Sequence, residues 1–195
     1  MTGRRLGRAG PGTPLLTRAD IPDMPPEIVD ATSVFNPGAV VRNGATVLLL
    51  RVQTRGRRTF LVPAACTDSL VVSCARRPTE LRGLDRLPST VHHVYDPRLT
   101  ELDGELRVVT ALDTSRGGRL ALWTAVGDAA GGFGGLERLN LVGTTGDHDT
   151  RNGVLFPERI GGRWLMLERP NSAAPPGGPP TGGVITLRAS EDLRR

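Results

Sequence analysis

The sequence has no lysine: all 25 cationic side chains are arginine, against 20 acidic ones, for a formal net charge of +5. So uniform a bias reflects coding preference first. The arginines are spread along the 195 residues and not gathered on one helix, so the charge is weak evidence for a nucleic-acid partner, and none is expected. Cysteine is almost absent. Cys66 and Cys74 cannot form a disulfide framework and read as two buried thiols in a reducing compartment. Aromatic residues are only 4% of the chain, which leaves valine and leucine to fill a core. No apolar run approaches the roughly 20 residues of a membrane helix. The longest, Thr46–Leu50, has the length of a buried strand. Arg4, Arg5 and Arg8 are not followed by an apolar stretch of the kind a secretory signal carries. The expectation is a cytoplasmic protein of one domain or little more, without membrane contact.

What is abundant is glycine (25) and proline (16), which points to many turns and little helix. Residues 1–30 form a Gly-, Pro- and Arg-rich arm in which no regular structure is expected. From Val34 onward short apolar runs alternate with turns: Gly38–Val41, Thr46–Val52, Thr59–Ala65, Leu70–Cys74, Val91–Tyr95, Leu106–Leu112, Leu120–Val126, Val154–Phe156, Trp164–Leu167 and Val184–Leu187. Their length and β-branched content suit strands. Asn43-Gly44, Asp103-Gly104 and Gly161-Gly162 are hairpin signals, because glycine tolerates the positive φ of tight turns. Leu81, Leu84 and Leu87 allow one short helical turn between Pro78 and Pro88.

A repeat lies beneath this pattern. Phe35-Asn36-Pro37-Gly38, Tyr95-Asp96-Pro97-Arg98 and Leu155-Phe156-Pro157-Glu158 place prolines at 37, 97 and 157, an even spacing of 60. After each comes a strand, a glycine turn and a second apolar strand. A unit of about four strands cannot bury both its faces alone, which is the logic of a propeller blade. The fold expected is all-β, of propeller type, with three blades at roughly 31–90, 91–150 and 151–195, the last incomplete. Such a ring is open, and its exposed edges suit pairing with another chain, so a homo-oligomer is one expected partner state.

In a propeller the innermost strands begin near the central axis. Asn36, Asp96 and the stretch Arg151–Phe156 should therefore converge. Arg51 and Arg169 each close an apolar strand, where a charge either reaches solvent or enters a polar site. Other clusters carry less. His92-His93 and Asp147-His148-Asp149 do not make a metal site, since adjacent strand residues point to opposite faces and no ligand-spaced partner follows. Gly131-Gly132-Phe133-Gly134-Gly135 lacks the Lys-Ser/Thr and the helix of a phosphate loop. Arg55-Gly56-Arg57-Arg58 reads as a solvated hairpin tip.

At these same motifs the sequence resembles glycoside hydrolase family 130, the β-mannoside phosphorylases and β-mannosidases, which are five-bladed propellers. The resemblance runs through Pro14-Leu15-Leu16-Thr17, Phe35-Asn36-Pro37-Gly38, Leu48-Leu49-Leu50-Arg51-Val52 and Tyr95-Asp96-Pro97-Arg98-Leu99-Thr100. It continues in Arg151-Asn152-Gly153-Val154-Leu155-Phe156-Pro157-Glu158, Gly162-Arg163-Trp164-Leu165-Met166-Leu167-Glu168-Arg169-Pro170 and Ala189-Ser190-Glu191-Asp192-Leu193. It implies that Asp96 is the general acid, protonating the glycosidic oxygen through the sugar's own 3-hydroxyl. It implies that Asn36, Arg51 and Tyr95 hold the mannosyl ring, and that Arg151 and Arg169 hold inorganic phosphate. Phosphate is already anionic and needs no base to activate it, unlike the water of a two-carboxylate inverting hydrolase. The paired cations therefore favour inverting phosphorolysis of a β-mannoside oligosaccharide, with phosphate as co-substrate and no other cofactor.

The sequence departs from the family pattern at Pro37, where many members carry a small hydroxylated residue, and at Tyr95, where others carry Glu. Asn171–Gly183 is a low-complexity loop in place of a sugar-binding segment. The family continues for about two blades beyond the position of Arg195, with further sugar and phosphate ligands. A second expectation therefore stands beside the first: a catalytically inactive relative serving as a sugar-binding or oligomer-partner module.

Overall fold

Short β-branched runs closed by Gly turns satisfy their backbone groups by pairing with the next run, and the chain does so throughout. The structure, a computed structural model, describes residues 4–5 (backbone only), 14–68, 70–128, 130–146, 148–180 and 182–193. The rest of the first thirteen residues and Asp147 of the His148 cluster lie outside the described residues. Strands β1 (Arg4–Arg5), β2 (Ala31–Arg42), β3 (Ala45–Thr54), β4 (Thr59–Cys66) and β5 (Val71–Cys74) make a first sheet in the order β1-β5-β4-β3-β2. Strands β6 (Glu80–Arg82), β7 (Val91–Leu102), β8 (Glu105–Thr114), β9 (Gly117–Ala125) and β10 (Arg138–Thr144) make a second, β6-β10-β9-β8-β7. Strands β11 (Thr150–Leu155), β12 (Trp164–Pro170) and β13 (Thr186–Ser190) make a third. Pairing is antiparallel except between β6 and β10. The described residues contain no α-helix, only 3-10 turns at Arg18–Asp20 and Leu84–Arg86, the latter inside the Pro78–Pro88 segment.

The sheets pack face to face around separate layers of core. Val47, Leu49 and Leu61 of the first sheet meet Leu106, Val108, Leu112, Trp123 and Leu139 of the second. Leu102, Val109 and Leu120 of the second meet Leu155 and Trp164 of the third. The outer face of the first sheet is covered by the arm. Ile21, Met24 and Ile28 are buried against Leu48, Leu50, Val52, Val62 and Ala64, and Met24 and Ile28 exchange backbone hydrogen bonds. The arm was expected to lack regular structure. It has little, yet three apolar side chains spaced along its Pro-punctuated stretch give it a packing role that neither helix nor strand periodicity would reveal.

The inner strands β2, β7 and β11 share one irregularity. In each, a two-residue bulge faces a single residue of the partner strand. Asn36-Pro37 lies opposite Leu50, Asp96-Pro97 opposite Thr110, and Asn152-Gly153 opposite Glu168. A bulge suits proline, because the extra residue has no ladder bond to lose. This corrects the repeat. The third bulge falls at Asn152-Gly153, four residues before Pro157, so the evenly spaced prolines mark equivalent positions in the first two strands only. Pro157 instead follows the end of β11. Close approach explains the glycine beside the first bulge and the one within the third. A Cβ on Gly38 would lie 2.9 Å from Leu99 Cγ and the Pro97 oxygen, and one on Gly153 2.7 Å from Val109 Cγ1 and Leu120 Cδ1.

Candidate active site

Two of the three bulges turn polar side chains, Asp96 and Asn152, into the space where the sheets meet. Asp96 and Asn152 hold φ of +52° and +56°, the left-handed region that Asp and Asn enter more easily than most residues. Asp96 Oδ1 accepts a hydrogen bond from Arg51 Nη1 at 2.7 Å, which joins the second sheet to the first. Both side chains are about one-fifth exposed, 20% for Asp96 and 22% for Arg51. The Arg51 guanidinium lies 4.5 Å from the Phe35 ring centre and 4.9 Å from that of Tyr95, so two aromatic faces hold it in cation–π contact. Phe35 and Arg51 are register partners just before the first bulge, and Tyr95 stands at the same place before the second.

Arg151 and Arg169 are register partners on β11 and β12. Like charges placed opposite each other on neighbouring strands repel. Neither guanidinium forms a hydrogen bond or a carboxylate ion pair among the described residues. Their Nε atoms are buried without a partner, as is the Nε of Arg51. A buried unpaired donor of a charged group is costly, and an anion between the two side chains would relieve both the repulsion and the missing bonds.

These residues line one open cleft of about 490 Å³. Arg51, Tyr95, Asp96, Arg151 and Arg169, all marked out by sequence, are brought together there. Asn36 is not. It sits on the equivalent bulge of β2, exposed, and is not among the lining residues. Gln53, Arg57, Thr59, His93, Asp113 and Asn152 complete the wall. With Arg51, Arg57, Arg151 and Arg169 against Asp96 and Asp113, positive side chains outnumber negative ones four to two. The Tyr95 phenol is pushed above its ordinary pKa, chiefly by burial, with the Asp113 and Asp96 carboxylates adding and Arg151 and Arg51 opposing. It therefore remains a hydrogen-bond donor across neutral pH.

One signal pointed to a residue that sequence reading passed over. Asp113 closes the apolar strand Leu106–Leu112 as Arg51 and Arg169 close theirs. Asn152 lies in the stretch Arg151–Phe156 expected near the axis, but its place on the third bulge is hidden while the repeat is aligned on Pro157. Arg57, at the exposed hairpin tip with φ +59°, lines the cleft rather than only meeting solvent. Nothing local marks Gln53 or Thr59, and His93 stood out only with His92 as a pair that makes no metal site. Among the described residues no group of three His, Cys, Asp or Glu side chains could hold a metal ion, and no helix is long and apolar enough to cross a membrane. His148 instead meets Glu168, which also accepts from Thr150 and Arg188.

Comparison with solved structures places this architecture. Over 92% of its length the chain is similar to the β-1,2-mannobiose phosphorylase of Listeria innocua, solved with β-1,2-mannobiose, at a TM-score of 0.65 and 17% identity. It is similar over 82% of its length to a glycosyl hydrolase of Bacteroides ovatus (TM-score 0.57, 17% identity), and over 77% to a family 32 β-fructofuranosidase of Bombyx mori (0.53, 22%). The likeness shows the fold: an all-β, propeller-type arrangement of the kind found in glycosidases. The chain spans 61%, 46% and 32% of those three proteins. No protein-family model and no curated protein sequence matches it.

Proposed function

We propose that the cleft binds a β-mannoside oligosaccharide and inorganic phosphate, and that its residues serve inverting phosphorolysis of the glycosidic bond. The observation that carries this reading is the facing pair Arg151 and Arg169, with buried unpartnered Nε atoms, in the same cleft as Asp96. The likeness to a mannobiose phosphorylase agrees with it. In this reading the three sheets are three blades of a five-bladed type of propeller. The two guanidiniums bind phosphate oxygens and hold one of them in line with the anomeric carbon. That oxygen forms the new C–O bond as the bond to the leaving sugar breaks on the opposite face, converting the β-mannoside to α-mannose 1-phosphate. Asp96 supplies the proton, relayed through the 3-hydroxyl of the mannosyl ring, and the leaving oxygen receives it. Arg51 orients Asp96 and, with Tyr95, contacts the ring. Asn36 joins them only if the sugar extends beyond the present lining of the cleft. Phosphate is the sole co-substrate, and the free thiols suit a reducing, cytoplasmic setting.

A second reading has its own observation. On the outward face of the third sheet Val154, Leu167 and Leu187 form one cross-strand row, and Val154 and Leu187 are exposed. A module that binds sugar without turnover, or that docks with another copy of itself, would use such a face. Phosphate-dependent release of mannose 1-phosphate from a panel of β-linked mannobioses separates the two, with Asp96→Asn as control. Asn keeps the left-handed backbone that Asp96 needs, so a loss of roughly 10²–10⁴-fold reports the missing proton and not a broken bulge. No turnover from folded protein would leave the binding module as the surviving reading.

A further inference from the structure

The wall of the cleft divides by chemistry. One part is cationic, with Arg151 and Arg169 facing each other on the third sheet. A second part carries two further cross-strand pairs: His93 opposite Asp113 on β7 and β8, and Gln53 opposite Thr59 on β3 and β4. None of these four side chains makes a hydrogen bond or ion pair among the described residues. His93 and Asp113 lie one alternation from Tyr95 and Ala111, and residues two apart on a strand share a face, so the pair continues the surface that carries the Tyr95 ring. Asp113 is near enough to Tyr95 for its carboxylate to strengthen the phenol's hold on its proton.

We infer that His93 and Asp113 are the residues that recognise the hydroxyls of the leaving-group sugar. The inference rests on the proposed function and adds to it the residues that select the second sugar. Directly opposed strand residues hold their Cβ atoms about 4.5–5.5 Å apart, close enough for an imidazole and a carboxylate to engage neighbouring hydroxyls of one ring. A carboxylate accepts from two hydroxyls at once, and a neutral imidazole supplies one donor and one acceptor. Asp113 cannot share in holding phosphate, since its charge would repel the anion. Arg151 and Arg169 thus stand at the phosphate and an uncommitted acceptor and imidazole at the sugar, while Arg51 is engaged with Asp96 and Arg57 lies on the β3–β4 hairpin. Gln53 and Thr59, neutral and able both to donate and to accept, extend the same wall on the first sheet.

Calorimetric titration tests this with β-1,2-mannobiose and, separately, inorganic phosphate, on wild type, His93→Ala, Asp113→Asn and Asp113→Ala. The expected result is a tenfold or greater loss of mannobiose affinity in the His93 and Asp113 variants, with phosphate affinity within twofold of wild type. Asp113→Asn keeps the side chain's shape, so it decides the matter if Asp113→Ala does not fold. Mannobiose affinity within twofold of wild type in every variant would overturn the inference while leaving the functional reading in place. A wild-type protein that binds neither mannobiose nor phosphate would remove both.

Discussion

Arg51 reaches from the first sheet to Asp96 on the second at 2.7 Å, its guanidinium held between Phe35 and Tyr95. One side chain thus clamps two sheets and sets the orientation of the carboxylate on which the proposed chemistry depends. Asp96 could not be so placed without its bulge. An added residue reverses the alternation of the strand, so Asp96 and Tyr95, adjacent in sequence, both line the cleft.

Removing the clamp should therefore affect both folding and activity. Arg51→Ala leaves a partly buried carboxylate without its donor, which costs about 1–3 kcal/mol. For a chain of this size that is a fall in melting temperature of about 2–4 °C per kcal/mol, read by thermal denaturation. Arg51→Lys should recover little, because an ammonium cannot spread between two ring faces while bonding the carboxylate. A lysine variant as stable as wild type would show that the stacking contributes nothing.

Inorganic phosphate should stabilise the folded protein through Arg151 and Arg169. At one hundred times its dissociation constant the expected gain is about 2.7 kcal/mol. The comparison is with chloride at matched ionic strength, so that general screening is removed. Arg151→Gln and Arg169→Gln should each abolish most of the phosphate-dependent rise. A rise that persists in both variants would place the anion elsewhere.

The arm should behave as part of the core. Ile28 is fully buried against the first sheet, and Ile28→Ala should cost about 2–5 kcal/mol, measured by urea unfolding. Its neighbour Val29 is 63% exposed, and Val29→Ala should fall within about 0.5 kcal/mol of wild type. Equal effects at the two positions would mean that the arm does not dock in solution.

Cys66 and Cys74 are both free, Cys66 buried and Cys74 half-buried. The Cys74 thiol is pushed up to about 11, first by burial and then by the Asp20 carboxylate. Folded protein should therefore resist alkylation by iodoacetamide at pH 8 at this position, with modification read by peptide mass spectrometry. The sign for stability follows from the same shift. The folded state keeps the proton that the unfolded chain releases near 9.0, so this contribution is complete below that pH and is lost as pH rises toward 11. Rapid labelling of Cys74 in the native state would show that its thiol is not held protonated by burial and the Asp20 carboxylate.

Much of the architecture was legible from local pattern. Asn43-Gly44 and Asp103-Gly104 turn between β2 and β3 and between β7 and β8, and the expected runs from Thr46–Val52 to Trp164–Leu167 all fall within or across observed strands. The candidate site was legible where a charge closed an apolar run, as at Arg51 and Arg169, or where the repeat placed a polar residue before proline, as at Asp96. It was not legible where pairing across sheets decides. Asn36 sits on the bulge equivalent to that of Asp96 but not in its cleft, while Gln53 and Thr59 enter the cleft with no local mark.

The sequence by itself determined the strands, their turns and the all-β character, because alternation and glycine chemistry act within a few residues. The tertiary structure decided where the bulges fall, that the third lies at Asn152-Gly153, and that the arm covers the first sheet. It also decided which side chains of three sheets meet around Arg51 and Asp96. These depend on strand register and on the packing of one sheet against the next, and a bulge of one extra residue changes which face every following side chain occupies.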